Sequence, residues 1–173
     1  MAGYPPVEKV KLHFGAYTTE TIAVSTDKDN PTYLSGIALF STSSPEFELL
    51  DPSTGLIRNN SGRTFSMQGS ATYQTNQGVG GSGNIKLWSE RSNDDGVSFV
   101  ENDFSLRTSE VPNNSTNSQT KSSAVELWKS GESVRWAMYN SGVGAVSLDS
   151  PSDTVNGGNP IEGFSFYWQL NEV

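Results

Sequence analysis

The sequence contains no cysteine and only one histidine, His13. Without cysteine, the chain can form neither a disulfide scaffold nor a thiol or thiolate–metal site. A single histidine also excludes a multi-histidine metal site within one chain. His13 falls on the polar side of an alternating segment, so we interpret it as a solvated or hydrogen-bonded residue.

Positive charge is scarce as well. The sequence has eleven Lys and Arg residues, scattered singly, and nineteen Asp and Glu residues, which gives a formal net charge of −8. Because no basic patch is present to neutralise phosphates, we expect no nucleic-acid partner. No apolar run approaches the ~18 residues that cross a bilayer, so we expect no membrane partner. The opening MAGYPPVEKVKLHF lacks the basic and apolar regions of a signal peptide. If the protein acts outside a cell, we expect another route, of which release in a virus particle is one.

Helical periodicity is almost absent, and alternation of apolar and polar residues takes its place. The alternation is clear over residues 9–16, 64–73 and 133–138. Between such segments, clusters of Gly, Asn, Asp and Pro supply the backbone reversals of turns; they include 27–31, 51–55, 59–62, 93–96, 129–132 and 156–160. Many short strands separated in this way predict an all-β sandwich or barrel.

Three polar segments are expected at exposed tips of this sandwich. Residues 76–83 and 140–144 are rich in glycine, and residues 109–123 are predicted to form a long polar loop. Loops on a rigid scaffold commonly carry binding residues. If the protein binds a receptor or a glycan, we expect the contact at these tips.

Three stretches resemble successive blocks of the jelly-roll heads of the tumour necrosis factor and complement-head superfamily. They are FELLDPSTGLIRNNSGRTFSMQGSATYQ (47–74), SSAVELWKSGESVRWAMYN (122–140) and IEGFSFYWQL (161–170). In the second, Gly131 and Glu132 take the glycine and acidic turn positions of the family's hairpin.

The resemblance implies an all-β fold, a two-sheet antiparallel jelly-roll sandwich. It extends over about residues 37 to 170. We predict one jelly-roll domain over residues 9–173, preceded by an N-terminal arm over residues 1–8. Within the arm, Tyr4, Pro5 and Pro6 are candidate anchor residues, since a proline-rich arm loses little entropy when it is ordered.

The resemblance also implies a homotrimer. In such heads the last strand belongs to an inner sheet whose outer face packs around a threefold axis. Tyr167 would then face neighbouring subunits, and Gly163 and Ser165 would allow their close approach. Arg135 and Tyr139 are candidates for the same interface. The alternative is that Tyr167 is an ordinary exposed strand tyrosine.

Tryptophans and acidic residues are the remaining candidates for a site. Trp88 and Trp128 fall opposite their apolar neighbours, which leaves two interpretations. We favour a position in the core or in an interface with a partner subunit, and the alternative is an outward-facing contact with a ligand such as a sugar. The neighbouring carboxylates Asp94 and Asp95 lie in an ordinary turn, which makes a carbohydrate-active enzyme the lowest alternative. No cofactor is expected, although DKDN (27–30) has part of the spacing of a calcium loop and leaves a structural calcium open.

These features together favour a structural protein of the virion surface, most plausibly of a bacteriophage, and not an enzyme. It would be a trimeric capsid decoration or cement protein, or the head of a short spike. Its partners would be itself and a major capsid or other virion protein, docked by multivalent contacts. The alternative is a lectin-like attachment head that binds a host surface glycan or receptor.

Overall fold

The computed structural model describes residues 11–18, 22–33, 37–41, 46–77, 80–112, 116–122, 126–149 and 166–173. Among them are strands and turns only, and none of these residues belongs to a helix long and apolar enough to span a bilayer. The strands are β1 (Lys11–Thr18), β2 (Ile22–Ala23), β3 (Thr32–Tyr33), β4 (Ile37–Ser41), β5 (Phe47–Asp51), β6 (Leu56–Asn59), β7 (Phe65–Gln77), β8 (Gly83–Ser92), β9 (Val100–Val111), β10 (Thr116–Ser122), β11 (Glu126–Trp128), β12 (Ser133–Asn140), β13 (Val146–Asp149) and β14 (Phe166–Glu172).

The strands form two antiparallel sheets. The eight-stranded sheet is built around β7, which pairs with β10, β11, β13 and β14. β13 also pairs with β2, and β14 continues through β1 to β4. The six-stranded sheet has the order β5–β6–β12–β8–β9, with β3 also paired to β12. Strands that are adjacent in a sheet are often distant in sequence, as in the pairing of β1 with β14. This two-sheet antiparallel arrangement confirms the predicted fold class.

Strand β7 is the central strand of the eight-stranded sheet and pairs with four other strands. One of its edges pairs with β14 and then β13, and the other with β11 and then β10. Its sequence alternates apolar with small polar residues, which suits a strand whose two faces meet different surroundings. Phe65 and Met67, at its start, are completely buried.

The hydrophobic core lies between the two sheets. The six-stranded sheet contributes Phe47, and the eight-stranded sheet contributes Phe65 and Trp128. The Phe47 ring lies 5.1 Å from the Trp128 ring and 6.0 Å from the Phe65 ring, centroid to centroid. Tilted aromatic contacts at such distances add about 0.5–1.5 kcal/mol each beyond area burial. These rings therefore join the two layers.

Most of the predicted alternation is confirmed. Segments 9–16, 64–73 and 133–138 correspond to β1, β7 and β12, and in β12 the alternate residues Val134, Trp136 and Met138 belong to the core. The predicted turns at 51–55 and 129–132 are also present, with Gly55 and Gly131 at φ of 68° and 85°. Positive φ at these positions explains why glycine is required there.

The prediction of a long polar loop over residues 109–123 is wrong. Strand β9 continues to Val111, and β10 begins at Thr116 and runs antiparallel to β7 up to Ser122. β10 consists of Thr, Asn, Ser, Gln and Lys, so it has no apolar alternation by which sequence could reveal it. Its strand conformation depends instead on the backbone hydrogen bonds offered by the edge of β7.

Candidate functional site

Tyr167 lies in β14, an interior strand of the eight-stranded sheet. Its backbone is opposite Gly15 of β1 on one side and Ser70 of β7 on the other. The other residues predicted for close approach, Gly163 and Ser165, lie outside the described residues, as do the anchor candidates Tyr4, Pro5 and Pro6. The contact of Tyr167 with neighbouring subunits stays a prediction.

Arg135 and Tyr139 lie in a different sheet from Tyr167. Both are in β12, which belongs to the six-stranded sheet. They alternate with the core residues of that strand, so they lie on its face away from the core. The outer faces of the two sheets are on opposite sides of a sandwich. A threefold interface confined to the eight-stranded sheet would therefore leave out Arg135 and Tyr139, and their place in an interface stays a prediction.

Arg135 is instead the centre of a buried polar cluster, the outer cluster, formed with Tyr33, Trp88, Glu90 and Phe99. Its Nε donates to Glu90 Oε2 at 2.7 Å, and its Nη2 donates to the Tyr33 hydroxyl at 2.9 Å. The central guanidinium carbon lies 3.9 Å from the Tyr33 ring centroid and 3.4 Å from the Phe99 ring centroid. The cation is thus held between two aromatic faces, a geometry that suits a guanidinium better than an ammonium.

The charges of the outer cluster are satisfied within the chain. The side chains of Arg135 and Glu90 are only 14% and 8% exposed, and Glu90 Oε1 also accepts a hydrogen bond from Trp88 Nε1 at 3.2 Å. Burial, followed by the charge of Glu90, raises the pKa of Tyr33. The cluster covers the outer face of the six-stranded sheet around Arg135, and the contact of Arg135 with the Phe99 ring holds the segment before β9 against this face.

Both Trp88 and Trp128 are buried, so neither is the outward-facing ligand contact that was the alternative for them. Trp128 is a core residue with 1% of its surface exposed. Trp88 lies on the outer face of the six-stranded sheet but is 3% exposed, because the Tyr139 ring packs edge-on against it at 5.9 Å. Neither indole offers a platform on which a sugar could stack.

The acidic residues considered for chemistry have structural partners. Hydrogen bonds from Ser98 and Ser92 lower the pKa of Asp94 to about 2, and Asp95 forms a 2.8 Å ion pair with Arg58. These contacts order the turn between β8 and β9.

The proposed calcium loop is also internally bonded. Asp27 accepts hydrogen bonds from Asn30 Nδ2 at 2.8 Å and from the Asp29 backbone N–H at 2.9 Å, which lower the pKa of Asp27. Among the residues that the structure describes, no group of three or more acidic or histidine side chains could hold a metal ion. A structural calcium at this loop stays a prediction.

Two of the predicted tip segments meet at one end of the sandwich. The Val143 and Gly144 backbone N–H groups donate to Ser82 O at 3.2 and 3.4 Å, and Ser141 N donates to Asn84 O at 2.8 Å. A Cβ atom on Gly142 would lie only 2.7 Å from Asn84 N, so only glycine permits this approach. We call residues 80–84 and 141–145 the tip.

Asn140 holds the tip together, and sequence analysis treated it only as part of a turn. Its Oδ1 accepts from Asn84 N at 2.8 Å and from Gly142 N at 2.9 Å, while its Nδ2 donates to Gly144 O at 2.5 Å. Its backbone N–H donates to Ser25 O at 2.7 Å. The side chain is buried, at 1% exposure. An asparagine directly before a glycine-rich turn was the available signal, because such side chains commonly bond backbone two residues on.

Known proteins resemble this chain in structure and not in sequence. No protein-family model and no curated protein matches the sequence. Among solved structures, Eiger TNF from S. frugiperda is similar with a TM-score of 0.57 and 17% identity, over 95% of this chain and 92% of that chain. Murine APRIL at pH 5.0 is similar with a TM-score of 0.53 and 8% identity, over 96% of this chain and 100% of that chain.

The chain has the jelly-roll fold of the tumour necrosis factor superfamily. The fold resemblance drawn from the three sequence blocks is therefore confirmed. At 17% identity and below, the likeness concerns the TNF-like fold alone. That structural likeness concerns neither the assembly of the chain nor its binding partners.

Proposed function

We propose that this TNF-like domain is a non-catalytic binding head that assembles as a homotrimer through the outer face of its eight-stranded sheet. The observation that carries the proposal is the TNF-like fold over 95% of the chain. Strand β14 lies inside that sheet and is paired on both sides, so its outer face is a continuous sheet surface.

The opposite face is less suited to self-association. There, the charged pair Arg135 and Glu90 is already hydrogen-bonded within the chain and largely covered. Groups satisfied in this way gain little from a second subunit, whereas separating them would leave a buried charge without its partner. This contrast supports the eight-stranded sheet as the trimer face.

A trimer would make three identical binding surfaces available at once. Linked sites convert later binding events into intramolecular ones, so overall avidity can exceed single-site affinity by about 10²–10⁴. We propose this multivalency as the purpose of the assembly. The virion surface, as a capsid decoration or a short-spike head, stays the proposed location, and it rests on the acidic composition rich in Ser, Thr, Asn and Gly.

The test is the native mass, measured by light scattering on a sizing column. One chain is 18.7 kDa, so three chains give about 56 kDa (3 × 18.7). We expect the trimer mass for the wild type and for Tyr139→Glu, whose site is on the six-stranded sheet, and a monomer for Tyr167→Glu. A circular dichroism spectrum of the β type shows that each variant is folded. A wild-type monomer, or an unchanged mass for Tyr167→Glu, would contradict the proposal.

A further inference from the structure

The tip presents one strongly exposed aliphatic side chain on an ordered support. Val143 is 87% exposed, although the backbone around it is fixed by hydrogen bonds to Ser82 and by the buried Asn140. A large exposed aliphatic group on a backbone that is already ordered loses little backbone entropy when it binds. Such a group is suited to act as a binding anchor.

The tip is also free of charge. Residues 64–85 and 136–148, which contain its two loops, include no Asp, Glu, Lys or Arg, although the chain as a whole carries a net charge of −8. At the other end of the sandwich, by contrast, ion pairs join Arg58 to Asp95 and Arg91 to Glu132. Charged residues adjoin the tip without belonging to it. Glu110 of β9 lies opposite Asn84 in the pairing of β8 with β9, and the loop 27–30 adjoins the base of the tip where Ser25 O accepts from Asn140 N.

An uncharged apolar centre beside charged residues is the arrangement of a protein–protein contact. Charged residues are depleted at the centre of such contacts, and polar residues form the rim. A small-molecule site would be a cleft lined by apolar and aromatic groups, and neither loop of the tip contains an aromatic residue, which also disfavours a glycan.

We propose that the tip, with Val143 as its anchor, is the contact surface for a protein partner that offers an uncharged apolar pocket. This inference rests on the proposed role as a binding head and adds the location of the site and the chemistry of the partner. Because the contact is apolar at its centre, the partner should remain bound when salt screens the charges of the surrounding rim.

Val97 provides a matched control. It is 85% exposed, almost the same as Val143, and follows the ion-paired Asp95 at the other end of the sandwich. Val143→Asp and Val97→Asp therefore add the same charge at equally exposed sites. Val143→Ile keeps an aliphatic anchor and serves as the conservative variant.

The experiment passes an extract of the cells that carry the gene over immobilised wild type and the three variants, at about 0.1 M and about 1 M NaCl. We expect one protein that the wild type, Val143→Ile and Val97→Asp retain at both salt concentrations and that Val143→Asp retains at least about tenfold less, or about 1.4 kcal/mol. A photoreactive diazirine residue at position 143, but not at position 97, should crosslink to it.

The proposal is overturned if no protein is retained, if Val97→Asp loses the partner equally, or if high salt elutes it. Binding of the chain to an uncharged glycan array that Val143→Asp abolishes would assign the tip to a glycan instead. Native mass separates this result from the trimer proposal, because Val143→Asp should keep the wild-type mass whatever that mass is.

Discussion

The clearest stability prediction concerns Asn140, which lies at the end of β12 and beneath the tip. Asn140→Ala removes the acceptor of the Asn84 and Gly142 N–H groups and the donor to Gly144 O. The side chain is buried at 1% exposure, so water does not replace these bonds without movement of the loops. The substitution should therefore loosen both halves of the tip together.

The magnitude follows from the number of bonds that are lost. A buried hydrogen bond contributes about 1 kcal/mol net, and each polar group left unsatisfied costs about 1–3 kcal/mol. Because the loops are near the surface and can move to admit water, we expect the lower part of this range. The predicted loss is about 2–4 kcal/mol, a large share of the roughly 5–15 kcal/mol that stabilises a typical domain.

Urea unfolding, followed by tryptophan fluorescence, measures the effect as a change in the free energy of unfolding. Asn60→Ala is the exposed control: Asn60 donates to Glu48 at 2.8 Å at the surface, so its loss should cost less than about 0.5 kcal/mol. Asn59→Ala is the buried control, since Asn59 bonds Arg63 O and Trp128 O at the other end. If Asn140→Ala resembles Asn60→Ala, or if hydrogen exchange of residues 80–84 and 141–145 is unchanged by it, the reasoning is refuted.

Two further predictions concern charged residues. Because the folded-state pKa of Asp94 is lowered to about 2 from 3.8, its ionised form stabilises the fold fully above the unfolded pKa, and this contribution is lost as pH falls through about 2. The difference in thermal midpoint between wild type and Asp94→Asn should be constant from pH 7 to about pH 5 and then shrink toward pH 2; a difference that grows on acidification would contradict this. Arg135→Met should lower the free energy of urea unfolding by about 3–5 kcal/mol, because it leaves Glu90 buried without its cation. Adding Glu90→Gln should recover part of that loss, and a double variant as unstable as the single one would show that the aromatic contacts of Arg135 matter more than the charge.

Much of the fold was predictable because apolar alternation is a local signal. In β12, the alternation over residues 133–138 corresponds to the buried residues Val134, Trp136 and Met138. The turns at Gly55 and Gly131 were predictable for an equally local reason, since few other residues adopt their backbone conformation.

The candidate surfaces were less predictable, because they depend on which strands become neighbours. Alternation assigned Arg135, Tyr139 and Tyr167 to outer faces without indicating that β12 and β14 belong to different sheets. Trp128 shows the same limit: Leu127, taken as the apolar side, is 48% exposed, whereas Trp128 packs against Phe47 from the other sheet. The packing partner, which lies far away in the sequence, decides which of two adjacent apolar residues is buried.

By itself, the sequence determined that this chain is an all-β sandwich with glycine-dependent turns, because strand alternation and backbone conformation are properties of a few consecutive residues. Only the tertiary structure decided that residues 116–122 form a strand, that the outer cluster surrounds Arg135, and that Asn140 joins two loops into one tip. Each of these depends on partners 40 residues or more away, such as Asn76 for Thr116, Glu90 for Arg135 and Asn84 for Asn140. Long-range pairing is settled by how the whole chain satisfies its buried backbone and side-chain groups at once, and no local pattern contains that information.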